Sequence, residues 1–192
     1  MPSLTNVVLS SGWPFRYKDD VTITGSTHSI PLSPTDIGAL QSFFVYNECW
    51  SDSPVSMSIT ELVIDSDKCN ARSVTVFDLS KYPKLKSVTI GDGSFMYVKE
   101  MKMIGLSELE SVEIGEDCFK NDNDLSNSNF HLKNCPKLKS LKIGRYSFSR
   151  YTVCEIENVD ALETIEMGNE NQWSYAFSRA SLELKSILIH SE

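Results

Sequence analysis

A nine-residue phrase that the chain states twice, almost verbatim, limits what it can fold into. Pro83-Lys84-Leu85-Lys86-Ser87-Val88-Thr89-Ile90-Gly91 returns as Pro136-Lys137-Leu138-Lys139-Ser140-Leu141-Lys142-Ile143-Gly144. Looser copies are Leu109-Glu110-Ser111-Val112-Glu113-Ile114-Gly115, Leu162-Glu163-Thr164-Ile165-Glu166-Met167-Gly168 and Leu184-Lys185-Ser186-Ile187-Leu188-Ile189. Leu40 to Val45 and Ile59 to Ile64 keep the spacing with less of the wording, and Leu4 to Leu9 fits it too. From Ile64 the last apolar positions (Ile90, Ile114, Ile143, Met167, Ile189) follow at gaps of 26, 24, 29, 24 and 22 residues. A period of this size marks a stacked repeat architecture.

Each regular unit carries a second alternating segment before the phrase: Phe77-Asp78-Leu79, Met101-Lys102-Met103, Phe130-His131-Leu132 and Cys154-Glu155-Ile156. Alternation with period two is a strand signal, apolar residues inward and the middle one outward. An aromatic follows the phrase at a fixed offset of five, at Phe95, Phe119 and Phe148. One coil therefore reads as strand, turn, strand and turn with an aromatic anchor. No coil can bury its own apolar face, but stacked coils share a continuous core. The expectation is a β-rich solenoid of about 22–29-residue coils, with two short strands per coil, parallel stacked sheets and little helix. Residues 57–192 form the regular array. Residues 1–56 read as degenerate coils with an irregular insert, in one continuous domain. Val21-Thr22-Ile23 is a strand candidate there, and Ser33-Pro34-Thr35-Asp36 has the order of a short helix start. The polar stretch Lys120 to Asn129 reads as a surface loop.

On these residues the chain resembles the leucine-rich-repeat family. Leu-x-x-Val/Leu-x-Ile at a spacing of roughly 24 residues carries the likeness. The Ser/Cys-Phe that follows is similar to the Ala-Phe anchor of BspA-like repeats of bacterial and protozoan surface antigens. Glycine (Gly91, Gly115, Gly144, Gly168) stands where the usual repeat has asparagine, and the Ile-Pro step of BspA-like units is absent. The resemblance implies an interaction scaffold rather than an enzyme.

Stacking lets the alignment be read vertically. One column runs Lys86, Glu110, Lys139, Glu163, Lys185, another Thr89, Glu113, Lys142, Glu166, and a third begins Asp78, Lys102. Opposite charges facing each other across strands help by about 0.2–1 kcal/mol, and like charges hurt. The lysines of the phrase are thus rungs of a ladder, not a nucleic-acid patch. A formal charge of −8 agrees, because phosphate binding needs a basic face. No apolar run approaches the roughly 18 residues of a membrane span. The start has neither the basic region nor the apolar stretch of a signal peptide, and no Asn-x-Ser/Thr sequon occurs. An intracellular setting is expected, or a surface one if the chain is a piece of a longer protein.

The five cysteines fall in repeat columns, Cys49 and Cys118 with Ser94 and Ser147, which points to reduced packing thiols. His28, His131 and His190 lack spaced partners, His131 being read as a solvated outward residue, so neither a metal nor a cofactor is expected. No nucleophile or acid–base pair stands outside a column. The ladder face is Ser, Thr, Glu, Lys and Gly, a poor docking surface when interface hot spots favour Trp, Tyr and Arg. Candidate partner-binding residues therefore lie at the irregular places: Asp122 and Asp124 in the insert, then Arg145, Tyr146, Arg150 and Tyr151, then Trp173 and Tyr175. The expected activity is protein binding without catalysis. The alternative is a self-assembling unit or a fragment of a longer repeat protein that pairs end to end through an uncapped last coil.

Overall fold

The computed structural model describes residues 57–121, 127–168 and 174–185, and the backbone of 21–25, 28–32 and 42–45. Val21–Gly25 (β1) and His28–Leu32 (β2) form an antiparallel hairpin. The other strands are Ser42–Val45 (β3), Glu61–Ile64 (β4), Val76–Asp78 (β5), Ser87–Ile90 (β6), Glu100–Ile104 (β7) and Ser111–Ile114 (β8). After them come Asn129–Lys133 (β9), Ser140–Ile143 (β10), Val153–Glu157 (β11), Thr164–Met167 (β12) and Ser181–Lys185 (β13). They wind as a β-solenoid. A first parallel sheet has the order β12-β10-β8-β6-β4-β3, and a second has β13-β11-β9-β7-β5. Among the described residues there is no helix, and none long and apolar enough to cross a membrane. The short helix expected after Ser33 and the Leu4–Leu9 copy lie outside the described residues.

The core follows from the alternation. Val88, Ile90, Val112, Ile114, Leu141 and Ile143 of the first sheet are all buried against Phe77, Met101, Met103, Phe130, Leu132, Cys154 and Ile156 of the second. At one end of the flattened coil the aromatic column closes the core. Phe95, Phe119, Phe148 and Phe177 stack face to face with centroids 5.0, 4.6 and 4.7 Å apart. Each sits at a positive φ of 51–58°, as does Cys69 in the same column. A left-handed backbone costs a residue with a side chain about 1–2 kcal/mol. Burying a phenyl ring returns about 1.5–3 kcal/mol, and ring pairing adds to that, so the turn holds its shape.

The residue before each aromatic explains why that column is small and polar. Ser94 Oγ donates to Asp65 O at 2.9 Å, Ser147 Oγ to Gly115 O at 2.7 Å and Cys118 Sγ to Gly91 O at 3.1 Å. Each satisfies a carbonyl of the coil below that the turn leaves unpaired. The four described thiols, Cys69, Cys118, Cys135 and Cys154, are free and buried, while Cys49 lies outside the described residues.

The register bears out the charge columns, Asp78 beside Lys102 among them, and corrects the top of one. Thr89, Glu113, Lys142 and Glu166 are direct neighbours, with Lys142 Nζ 3.3 Å from Glu166. Lys86, Glu110, Lys139 and Glu163 are joined amide to carbonyl. Lys185, however, is not the next rung. It lies in β13 of the second sheet and pairs with Glu157, which pairs with Lys133. The Leu184 to Ile189 copy is therefore no phrase at its start: Leu184 and Lys185 end a second-sheet strand whose Leu182-Glu183-Leu184 repeats Cys154-Glu155-Ile156. The expected loop from Lys120 to Asn129 is also shorter, because Asn129 opens β9 and the loop's roots are pinned. Asn121 and Ser128 are both buried and bonded to each other at 2.9 Å.

Candidate functional site

The turn that leaves the first sheet is built the same way in successive coils. A glycine (Gly91, Gly115, Gly144) presses on the turn beneath, and two residues on the backbone enters the left-handed region at Gly93, Asp117 and Tyr146, as it does at Asp67, two residues after Asp65. Asp and Gly tolerate that conformation, but a bulky aromatic there is an outlier. Tyr146, at φ 61°, is the exception in its column. The geometry throws its ring to the surface, where it stacks on Tyr175 with centroids 5.4 Å apart and planes 15° from parallel. Tyr175 is 46% exposed.

Two cations flank the pair. The Arg145 guanidinium lies 5.5 Å from the Tyr146 ring centre and Lys120 Nζ lies 5.8 Å from it. Arg145 is aimed by a two-point bond to Glu116, Nε to Oε1 at 3.1 Å and Nη2 to Oε2 at 3.0 Å. Lys120 is held by Asp117 at 2.7 Å. Donating to the Glu116 carboxylate raises the guanidinium pKa further, so the charge is fixed at any working pH. Beside this platform runs a groove of about 280 Å³ along the glycine ladder, edged by Asp92, Glu113, Glu116, Lys142 and Glu166.

The structure thus brings together three of the residues singled out from sequence: Arg145, Tyr146 and Tyr175. Arg150 is half-buried further along the same turn. Tyr151 is not a surface residue. It is fully buried, edge-on to Phe148 at 4.9 Å, and its hydroxyl donates to Val98 O at 2.9 Å. Burial pushes its phenol well above the usual range. The signal was present in the repeat: Tyr151 stands three residues past Phe148 as Val98 stands past Phe95, and both amides bond back to that aromatic's carbonyl. Asp122, Asp124 and Trp173 lie outside the described residues. Sequence reasoning missed Lys120, Glu116 and Asp117, whose roles appear only when successive turns are laid on one another.

The second sheet's outer face carries a charge network. His131 Nδ1 lies 2.6 Å from Glu155 Oε2, with Glu100 on its other side at 4.0 Å. Lys133 reaches the same Glu155 oxygen at 2.9 Å and Glu157 at 3.5 Å. The expected solvated histidine is thus held between carboxylates, with its side chain 20% exposed. Lys133 first, and His131 second, hold the Glu155 carboxyl below its ordinary range. Among the described residues no three His, Cys, Asp or Glu side chains are grouped to hold a metal ion. Comparison with protein-family models, curated proteins and solved structures gives no match.

Proposed function

We propose that this chain is a non-enzymatic protein-interaction scaffold of the leucine-rich-repeat kind, with likeness to BspA-like repeats, and that it grips its partner through the Tyr146–Tyr175 platform. The observation that supports this most is the exception in the turn column. Where three other coils place Asp or Gly at a left-handed position, this coil holds a tyrosine at a conformational cost of about 1–2 kcal/mol. That tyrosine is half-buried, and its ring stacks on the exposed Tyr175, beside an aimed arginine. A structural device would not need the aromatic, because Asp117 makes the same turn without one. Tyr and Arg are also the residues that dominate interface energetics. The polar sheet faces serve as register, and their serines recur as rungs without an adjacent base, which favours binding over catalysis.

The test is a return to the column's own residue. Tyr146→Asp combined with Tyr175→Ser should leave the melting temperature close to the parent's. It should weaken binding to the partner captured by the parent chain by more than tenfold, the scale of a hot-spot loss of about 2 kcal/mol or more. Undiminished binding to that partner by the folded double variant would overturn this reading. Arg145→Ala should give a smaller loss that shrinks in high salt.

A further inference from the structure

Where each coil passes from the first sheet into its turn, the surface has a gap. In Glu113-Ile114-Gly115-Glu116 the isoleucine is buried and the glycine has no side chain, so only the two glutamates reach outward. Lys142-Ile143-Gly144-Arg145 repeats this one coil on. Stacking aligns the gaps into the groove of about 280 Å³, floored by Gly115, Gly144 and Gly168. Three rungs at about 4.8 Å per step make it roughly 10 Å long, room for one outstretched side chain. The glycines are there because the coils must close up, so the shape is a by-product of stacking. The charge is not. Lys142 stands in register between Glu113 and Glu166 but turns to Glu166, at 3.3 Å, and Glu113 has no ion pair among the described residues. On the other wall Arg145 neutralises Glu116, while Asp92 meets no cation among the described residues. Two carboxylates in one groove are left uncompensated.

We propose that the groove seats the side chain of an arginine carried on an extended segment of the partner, whose neighbouring residues cover the Tyr146–Tyr175 platform. This rests on the platform being the binding face, and it names the chemistry of what binds there. The two features share a wall. Glu116 lines the groove and also aims Arg145, which lies 5.5 Å from the Tyr146 ring centre. A cation entering the groove therefore meets carboxylates that no residue of this chain neutralises, and it arrives beside the exposed Tyr175. An anionic segment would be opposed from both walls. Arginine suits the place better than lysine. Its planar fork can bond two carboxylates, it sheds water more readily, and it stacks on aromatic rings. A bare divalent ion suits it less, because no three acidic, His or Cys side chains are grouped to hold one among the described residues.

The probe is the acetylated, amidated pentapeptide Gly-Tyr-Gly-Arg-Gly, titrated into the full chain and followed by amide NMR. Saturable shifts should centre on Gly115, Glu116 and Gly144. The citrulline counterpart, with the same shape and no charge, should bind about five- to tenfold more weakly. The arginine peptide should lose about as much against Glu113→Gln combined with Asp92→Asn. That variant keeps the Asp92 oxygen that accepts the Glu116 amide at 2.7 Å, so its melting temperature should match the parent's. No saturable shift, equal binding of the two peptides, or shifts that spare the glycine turns would overturn the proposal. So would calcium chloride producing the same shifts at the same concentration, which would make the groove an ion site. Failure here is distinct from failure of the platform. A groove that ignores the peptide leaves untouched any loss of partner binding in the Tyr146→Asp, Tyr175→Ser variant. If that variant binds its partner undiminished while the groove takes the arginine peptide, the tyrosines are dispensable and the arginine seat stands.

Discussion

At the scale of single residues, two glycines show that the same residue type answers two different demands. Gly144 has an ordinary backbone, and what it supplies is absence: a Cβ there would run into the Gly115 carbonyl and the Glu116 amide of the coil beneath. Gly105 is the reverse case. A Cβ there meets nothing within 4 Å, but its φ of 72° is left-handed. Asn134 and Asn158 hold the same turn in the next two coils at 55° and 53°. The two should respond differently to substitution. Gly144→Ala should cost about 1–3 kcal/mol, because the obstacle is backbone and cannot swing aside. Gly105→Asn should be close to neutral, and Gly105→Val should cost more than Asn, since a β-branched residue resists that region. Urea denaturation of the three variants checks the ranking. A Gly144→Ala variant as stable as the parent would mean that the coils can separate at the turn more easily than their spacing suggests.

Among the strands, the columns were legible before any coordinates because parallel stacking turns sequence period into spatial adjacency. Lys142 beside Glu113 and Glu166 needed only the spacing of three phrases. The last coil was not legible for the same reason. Both strands of a coil alternate apolar and polar residues, so Leu184-Lys185-Ser186-Ile187 carries the letters of the phrase while Leu184 and Lys185 sit in the other sheet. The distinguishing mark is distance from the aromatic anchor. Phe177 lies ten residues past Met167, where earlier coils have five, and this wider turn hid the offset. The tyrosine platform was half legible: Tyr146 and Tyr175 stood out, but their stacking and the aim of Arg145 by Glu116 depend on turns a full coil apart. For the ladder itself, Lys142→Glu would align three carboxylates in a row. These groups are about half exposed, so the loss should be only about 0.5–1 kcal/mol, and it should shrink in high salt. Adding Glu166→Lys to that variant should recover part of it. A loss that ignores salt would assign the lysine's contribution to its aliphatic stem instead.

Taken as a whole molecule, the solenoid has a dry interior in which acidic groups without formal charge are built into the packing. Burial pushes the thiols of Cys118 and Cys154 up to about 12 and that of Cys135 to about 11, and the Tyr82 phenol to about 12. The consequence for stability has a definite sign. In the unfolded chain a thiol releases its proton near its ordinary value of 9.0, while the folded chain retains it. The folded state then binds more protons, so stability is fully present below 9.0 and falls as the pH climbs toward 12, by up to about 1.4 kcal/mol per pH unit for each such group. Cys118 allows a clean measurement, because its column holds serine at Ser94 and Ser147, both buried and bonded to the carbonyl below. Cys118→Ser should match the parent near neutral pH, since the hydroxyl can donate to Gly91 O as the thiol does. Above 9.0 the parent should lose stability more steeply than the variant, because one titrating group has been removed. Urea midpoints followed across that range report the difference directly. Parallel slopes, together with rapid modification of the native protein by a thiol reagent, would show that the coils admit water at the Cys118 turn and that the column is not closed there.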